Sequence, residues 1–276
     1  MSLLISAVNA AANGVCEILF APLRGVHPLV ALGIIAFLTG AMMLLAYKFT
    51  SNQRSIRRAK DVMQAHVLAV RLFQDQIGVV LRSYGRILRA TFGYLRLSLV
   101  PLLVMFIPLT LLLIQLEARF AYRSPRIGEP FLVTVRVAQP QDVDGVSLET
   151  PAGVALTAPL LRDTEAREVV ARLEARQPGT WNLVVRLAGG ESKKQLIVSE
   201  RLESLSTERV SPGILARLLN PLEDPLPAGS PVIGIAVDYP ERRIALGRFN
   251  LNWIVTFFIL SLIAGLALKR PLRAEF

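Results

Sequence analysis

Cys16, His27 and His66 are the only thiol and imidazoles in this 276-residue chain. They are too few and too scattered for a cysteine-based zinc site or an internal disulfide, and they make transition-metal chemistry a poor reading. Ser, Asp and Glu are plentiful between residues 117 and 250, but that stretch has no His or Cys to activate a nucleophile. Neither GxxxxGK[ST] nor GxGxxG occurs, and "GEP" and "AGG" read as turns, not phosphate cradles. No catalytic set, metal ligand set or cofactor site is therefore assigned. The chain reads as a protein that binds or scaffolds.

What remains is charge beside grease. "YKFTSNQRSIRRAKDVMQAH", residues 47–66, follows an uncharged apolar run and carries Lys48, Arg54, Arg57, Arg58 and Lys60. With Arg71, Arg82, Arg86, Arg89 and Arg96 these make ten cations in residues 48–96 against Asp61 and Asp75, a local charge of +8. The whole chain is only +10, and residues 117–250 are neutral. A nucleic-acid arm could look like this, but the chain is 53% hydrophobic, and that demands an account first.

Three apolar runs supply it: Leu29 to Tyr47, Leu97 to Leu116 and Leu251 to Leu268, none containing a charge. Each is about the length that crosses hydrocarbon. Cations concentrate in short loops on the cytoplasmic side, so 48–96 and the tail from Lys269 are expected inside, and the N-terminus and 117–250 outside. The expected order is an amphipathic interfacial helix (1–26), a first span (27–47), a basic cytoplasmic helical hairpin (48–96), a second span (97–116), an extracytoplasmic domain (117–250), a third span (251–268) and a basic cytoplasmic tail (269–276). A bacterial inner membrane is the expected location. Residues 1–22 lack the early cations of a signal peptide, and Leu3, Leu4, Val8, Ala11, Val15, Ile18 and Leu19 recur at helical spacing.

In the basic segment, Ala59, Met63, Val67, Val70, Phe73, Ile77, Val80, Tyr84, Ile87 and Leu88 form a stripe suited to a partner helix, coiled-coil fashion, with a turn expected near "DQIG". Its basic surface comprises Lys48, Arg54, Arg57, Arg58, Lys60, Arg82, Arg86, Arg89 and Arg96, which suits anionic lipid headgroups. The outer segment alternates apolar and polar residues in "EPFLVTVRVAQ", "GVSLETPAGVALTAP", "REVVARLEARQ", "GTWNLVVRLAGG" and "SKKQLIVSER". That pattern predicts an antiparallel β-sandwich, immunoglobulin-like in the broad sense. "SPGILARLLNPL" predicts a short helix with Ser211 as N-cap and Pro212 at its first position.

The order of these elements resembles the YidC/Oxa/Alb insertase superfamily, most closely its reduced three-span members in archaea and the endoplasmic reticulum. The residues that carry the resemblance are "TSNQRSIRRAKDVMQAH", "YGRILRATFGYLRLSLVPLLVMFIPL" and "GRFNLNWIVTFFILSLIAGLALKRPL", and it covers roughly residues 1–116 and 248–276. Two departures stand out. Leu29 to Tyr47 lacks the family's groove arginine, and the outer domain sits between the last two spans. The resemblance implies insertion of nascent or newly made membrane proteins through a cytoplasm-facing polar groove, without nucleotide or covalent chemistry, and with the ribosome as a further partner. Candidates for the lining are Thr39, Thr50, Gln53, Ser98, Thr110, Gln115 and Thr256. The alternative is a membrane scaffold whose outer sandwich binds an envelope protein or carbohydrate. A transporter is disfavoured by three spans with no ionisable residue inside them.

Overall fold

The computed structural model describes residues 2–50, 53–72, 77–187, 190–246 and 249–272. It divides into two compact units, Met1–Leu32 with Leu111–Thr256, and Gly33–Thr110 with Phe257–Phe276.

The first unit is built on two antiparallel sheets. One has the order β3 (Val154–Leu156), β5 (Glu168–Ala175), β1 (Pro130–Val137), β9 (Val232–Asp238), β8 (Glu208–Val210), with β4 (Leu161–Asp163) also on β5. The other has the order β2 (Ser147–Glu149), β6 (Gly179–Leu187), β7 (Gly190–Val198). A hairpin of β10 (Ile244–Leu246) and β11 (Phe249–Leu251) precedes the last helix.

The sheets share one apolar core because β1, β5 and β7, and β6 from Leu183 onward, alternate between buried and more exposed positions. Phe131, Val133, Val135 and Val137 point inward from β1, and Val169, Ala171, Leu173 and Ala175 from β5. Leu183, Val185, Leu196 and Val198 meet them from β6 and β7. Register enforces the match: Val133 pairs with Ala171 on one side and Val237 on the other. A one-residue slip would expose the whole inner face. Five of the predicted segments become β1, β2 with β3, β5, β6 and β7. The three-residue strands β4, β8, β10 and β11 are too short to show a period.

At Gly153 the packing leaves no room for a side chain. A Cβ there would fall 2.1 Å from the Trp181 ring. The loop before β3 thus runs directly beneath the indole, whose Nε1 donates to the Gln177 carbonyl at 3.3 Å.

Helix α1 (Ser2–Phe20) and a 3-10 turn (Ala21–Leu23) belong to this unit. The helix was expected to lie on a membrane surface. In the structure it also docks on protein: Asn9 Nδ2 donates to the Arg217 carbonyl at 2.7 Å and Asn13 Nδ2 to the Pro221 carbonyl at 2.8 Å. Both acceptors belong to α5 (Ile214–Leu219) and the turn after it. The expected cap of α5 is corrected. The helix begins one residue beyond Gly213, with no side-chain cap. Ser211 instead joins strand pairing, its N–H and hydroxyl both donating to the Ile233 carbonyl, at 2.9 and 3.0 Å.

The second unit is helical: most of α2 (Pro28–Thr50), α3 (Gln53–Leu72), most of α4 (Ile77–Phe120) and most of α6 (Trp253–Leu272). Among the described residues, two helices are long and apolar enough to cross a membrane, α2 over Pro28–Tyr47 and α4 within Leu81–Phe120, while α6 carries a shorter apolar run, Trp253–Leu268. α2 and α6 approach closely at Gly40, where a Cβ would sit 2.8 Å from the Ser261 carbonyl oxygen and 3.3 Å from the Ala264 methyl. Small residues allow such backbone approach between apolar helices.

The sequence predicts a helical hairpin over 48–96 and a separate span over 97–116, yet residues 77–96 and that span are continuous through Gly78 and Gly85. They form one 44-residue helix. A helical glycine costs about 1 kcal/mol relative to alanine, too little to interrupt so long a helix. Pro101 and Pro108 lie inside it, as proline does in helices that neighbours or membrane surround. The expected turn at "DQIG" is corrected to the extent that Gly78 is already helical; residues 73–76 lie outside the described residues.

Candidate functional site

The seven groove candidates are distributed over both units. Gln115 and Thr256 belong to the first, and Thr39, Thr50, Gln53, Ser98 and Thr110 to the second. Thr39 and Thr256 are buried, and Thr50 is exposed. The side chains of Gln53 and Ser98 lie outside the described residues. Two of the threonines satisfy their hydroxyls within their own helix, Thr110 on the Phe106 carbonyl at 2.8 Å and Thr256 on the Asn252 carbonyl at 3.1 Å. Such back-bonding leaves little donor capacity for a passing polar group.

Gln115 is different. Its Nε2 donates to Asn13 Oδ1 at 2.5 Å, and its Oε1 accepts from Arg119 Nη1 at 3.1 Å. Arg119 also donates to the Gln115 carbonyl at 3.1 Å and places its guanidinium 4.8 Å over the Phe20 ring. It is buried, and among the described residues no carboxylate lies within ion-pair distance of it. An amide, a carbonyl and a ring face thus replace a counter-ion. Sequence reading missed Arg119, counting it into the neutral outer segment. The available signal was a pair of polar i, i+4 couples, Asn9 with Asn13 and Gln115 with Arg119, each on one helical face.

On the basic segment, Arg58, Arg82, Arg86, Arg89 and Arg96 are exposed. The side chains of Lys48, Arg54, Arg57 and Lys60 lie outside the described residues. α3 and α4 touch where Thr91 Oγ1 lies 3.3 Å from Met63 Sδ. Much of the apolar stripe remains open to solvent at Val67, Tyr84 and Leu88. Farther along α4, Leu99, Leu102, Leu103, Val104, Phe106 and Ile107 are also exposed.

In the sheet unit, a cavity of about 1070 Å³ is bordered by Arg123, Arg126, Arg201 and Arg242 together with Ser124, Thr180 and Ser199. Arg123 is bound in both directions to Glu129, at 2.7 Å for each oxygen. That pairing, with the Arg126 backbone N–H, pulls the Glu129 carboxyl down to about 2. Burial lowers the pKa of Arg242, and the neighbouring Arg123 charge lowers it further.

Lys194 is fully buried on the inner face of β7, opposite Leu183. Its Nζ reaches Glu223 Oε1 at 2.7 Å, the Ser206 carbonyl at 2.6 Å and Ser206 Oγ at 3.0 Å. Burial depresses its pKa against the opposing pull of Glu223. Among the described residues, no group of three or more His, Cys, Asp or Glu could hold a metal ion. No family model matches the chain, and no curated protein aligns with it significantly.

Proposed function

We propose that the chain is a membrane protein insertase of the YidC/Oxa type, which eases transfer of client apolar segments into the bilayer. The observation that carries this reading is the continuity of α4. A single helix runs from a surface where exposed Tyr84 and Leu88 are flanked by Arg82, Arg86 and Arg89 into an apolar stretch where Leu99, Leu102, Leu103, Val104, Phe106 and Ile107 are uncovered. A client segment can exchange water for this surface progressively. Its polar flank meets cations and lipid headgroups before it must leave water altogether, and abrupt desolvation is the costly alternative.

In this reading α2, α4 and α6 all span the membrane. Residues 48–96 and the C-terminus face the cytoplasm of a bacterial inner membrane, and the facing sheets form an immunoglobulin-like sandwich outside. The cations near α2 and after α6 support this orientation. Newly made membrane proteins are the clients, and the +8 segment attracts anionic headgroups and ribosomal RNA.

A second reading has an observation in its favour. The hydroxyls of Thr110 and Thr256 are satisfied by their own backbones, and α2 meets α6 closely at Gly40. Dry packing of this kind suits a scaffold that displays the sheets to an envelope partner or carbohydrate. The test is replacement of Arg54, Arg57 and Arg58 by Ala, followed by insertion of a short-tailed client into membranes depleted of the native protein. Insertion falls if these cations receive the client. Unimpaired insertion, with orientation unchanged, removes them from the mechanism.

A further inference from the structure

A cavity in the sheet unit is bordered by Arg123, Arg126, Arg201 and Arg242. Those four cations share its wall with two acids, Glu200 and Glu203. Glu129 neutralises Arg123 alone. Arg242 spends its Nε on the Tyr122 carbonyl at 3.2 Å. Among the described residues, Arg126, Arg201 and Arg242 have no carboxylate within ion-pair distance. Three guanidinium groups without a close ion-pair partner therefore border one concave space, against the two acids Glu200 and Glu203, and leave it a net positive wall that favours an anion.

The backbone builds this convergence. An isolated β-bridge joins Tyr122 to Glu241, with the Arg123 N–H on the Pro240 carbonyl at 2.9 Å and the Arg242 N–H on the Ala121 carbonyl at 2.8 Å. That bridge fixes Arg123 and Arg242 side by side. Ser124, anchored by its hydroxyl to the Ile197 carbonyl and accepting from the Ser199 N–H at 3.1 Å, ties the Arg126 loop to the end of β7, where Arg201 follows. Arg123 lies only three residues past the end of α4 at Phe120. The cavity thus opens next to the point where an apolar helix gives way to polar chain.

We infer that this cavity binds a phosphate-bearing ligand, with Arg126, Arg201 and Arg242 as its cationic contacts and Ser199 and Thr180 as hydroxyl donors. Each guanidinium fork pairs with two oxygens, and a phosphate has enough oxygens to serve more than one fork, which a halide or a single carboxylate does not. The ligand chemistry could come from a phospholipid headgroup or from a soluble phosphate ester. The position beside the helix end suits the headgroup. This inference is independent of the insertase reading.

The full-length protein is placed in nanodiscs of phosphatidylcholine alone or with phosphatidylglycerol, and retained lipid is measured by native mass spectrometry. In parallel, thermal unfolding in neutral detergent is followed with glycerol 3-phosphate or inorganic phosphate. Loss of two charge-assisted contacts weakens binding by at least about tenfold, so Arg126→Gln with Arg201→Gln should abolish selective retention of phosphatidylglycerol or the phosphate-induced shift. Both residues are exposed, so this variant folds even if one including Arg242→Gln does not. Arg172→Gln, an exposed charge on β5, serves as control and should change nothing. Retention of phosphatidylglycerol without a response to soluble phosphate identifies a headgroup site, and a response to both identifies a general phosphate site. Absence of either response, or equal loss in the Arg172→Gln control, overturns the inference.

Discussion

Gln115 Nε2 donates to Asn13 Oδ1 at 2.5 Å, fastening the first helix of the chain to the end of the long apolar one. Gln115 serves two partners at once, since its Oε1 also accepts from the buried Arg119. Leucine at this position would remove both bonds and leave Arg119 its backbone contact and the Phe20 ring. A lost bond to a buried charge costs about 2 kcal/mol. Gln115→Leu should therefore lower the thermal unfolding midpoint in detergent. Combined with Asn13→Ala, the loss should be less than additive by about 1 kcal/mol. Strict additivity would mean that the two side chains do not cooperate.

Lys194 and Glu223 form a second buried relationship with an asymmetric consequence. Removing one partner leaves the other charge without compensation, at a cost of about 3–5 kcal/mol, whereas replacing both with apolar residues is often neutral. Glu223→Leu should destabilise severely, and Lys194→Met with Glu223→Leu should recover most of the loss. Chemical unfolding of the three variants measures this directly. A double variant as weak as the single one would assign the loss to packing around Ser206.

The bidentate Arg123–Glu129 pair gives a pH dependence of definite sign. The Glu129 carboxyl is held near 2 in the folded protein against an ordinary 4.5. Its contribution to stability is complete above pH 4.5 and is lost as pH falls through the window down to about 2. Solvent reaches both side chains, so the pair contributes about 1 kcal/mol. Unfolding midpoints of wild type and Glu129→Gln should differ at neutral pH and converge at the acid end. A constant difference across the range would contradict the linkage.

At Gly153 the constraint is steric. An alanine Cβ would meet the Trp181 ring at 2.1 Å, and overpacking of this kind costs about 1–3 kcal/mol. Gly153→Ala should destabilise and shift tryptophan emission, and Trp181→Ala should relieve part of the penalty in the double variant. Equal destabilisation with and without the indole would place the strain elsewhere in the loop.

How much of this was legible depends on range. The long strands declare themselves because burial alternates within one segment. The apolar lengths of α2 and α4 depend on composition alone. Lys194 was legible in principle: counting back by twos from Val198 and Leu196 lands on it, so parity alone marks a lysine facing the core. Its partner Glu223 lies 29 residues onward in irregular chain, and no local pattern announces that meeting. The docking of α1 on α5 joins residues 208 positions apart, so Asn9 and Asn13 read only as blemishes in an amphipathic helix. Among the described residues, Gln115 is the groove candidate engaged in a polar cluster between elements, because a long amide can reach across while Thr110 and Thr256 bond to the backbone four residues before them.

The proposed route of clients runs along α3 and α4. A photo-activated crosslinker placed at Val67, Leu88 or Leu103, with an exposed β4 position, Leu161, as comparison, tests it during synthesis of a membrane client. Adducts to the nascent chain are expected from Val67 and Leu88 first, then from Leu103 as the client lengthens, and none from Leu161. Absence of nascent-chain adducts at all three helical positions, with capture of an envelope protein from Leu161, would contradict it and favour the scaffold.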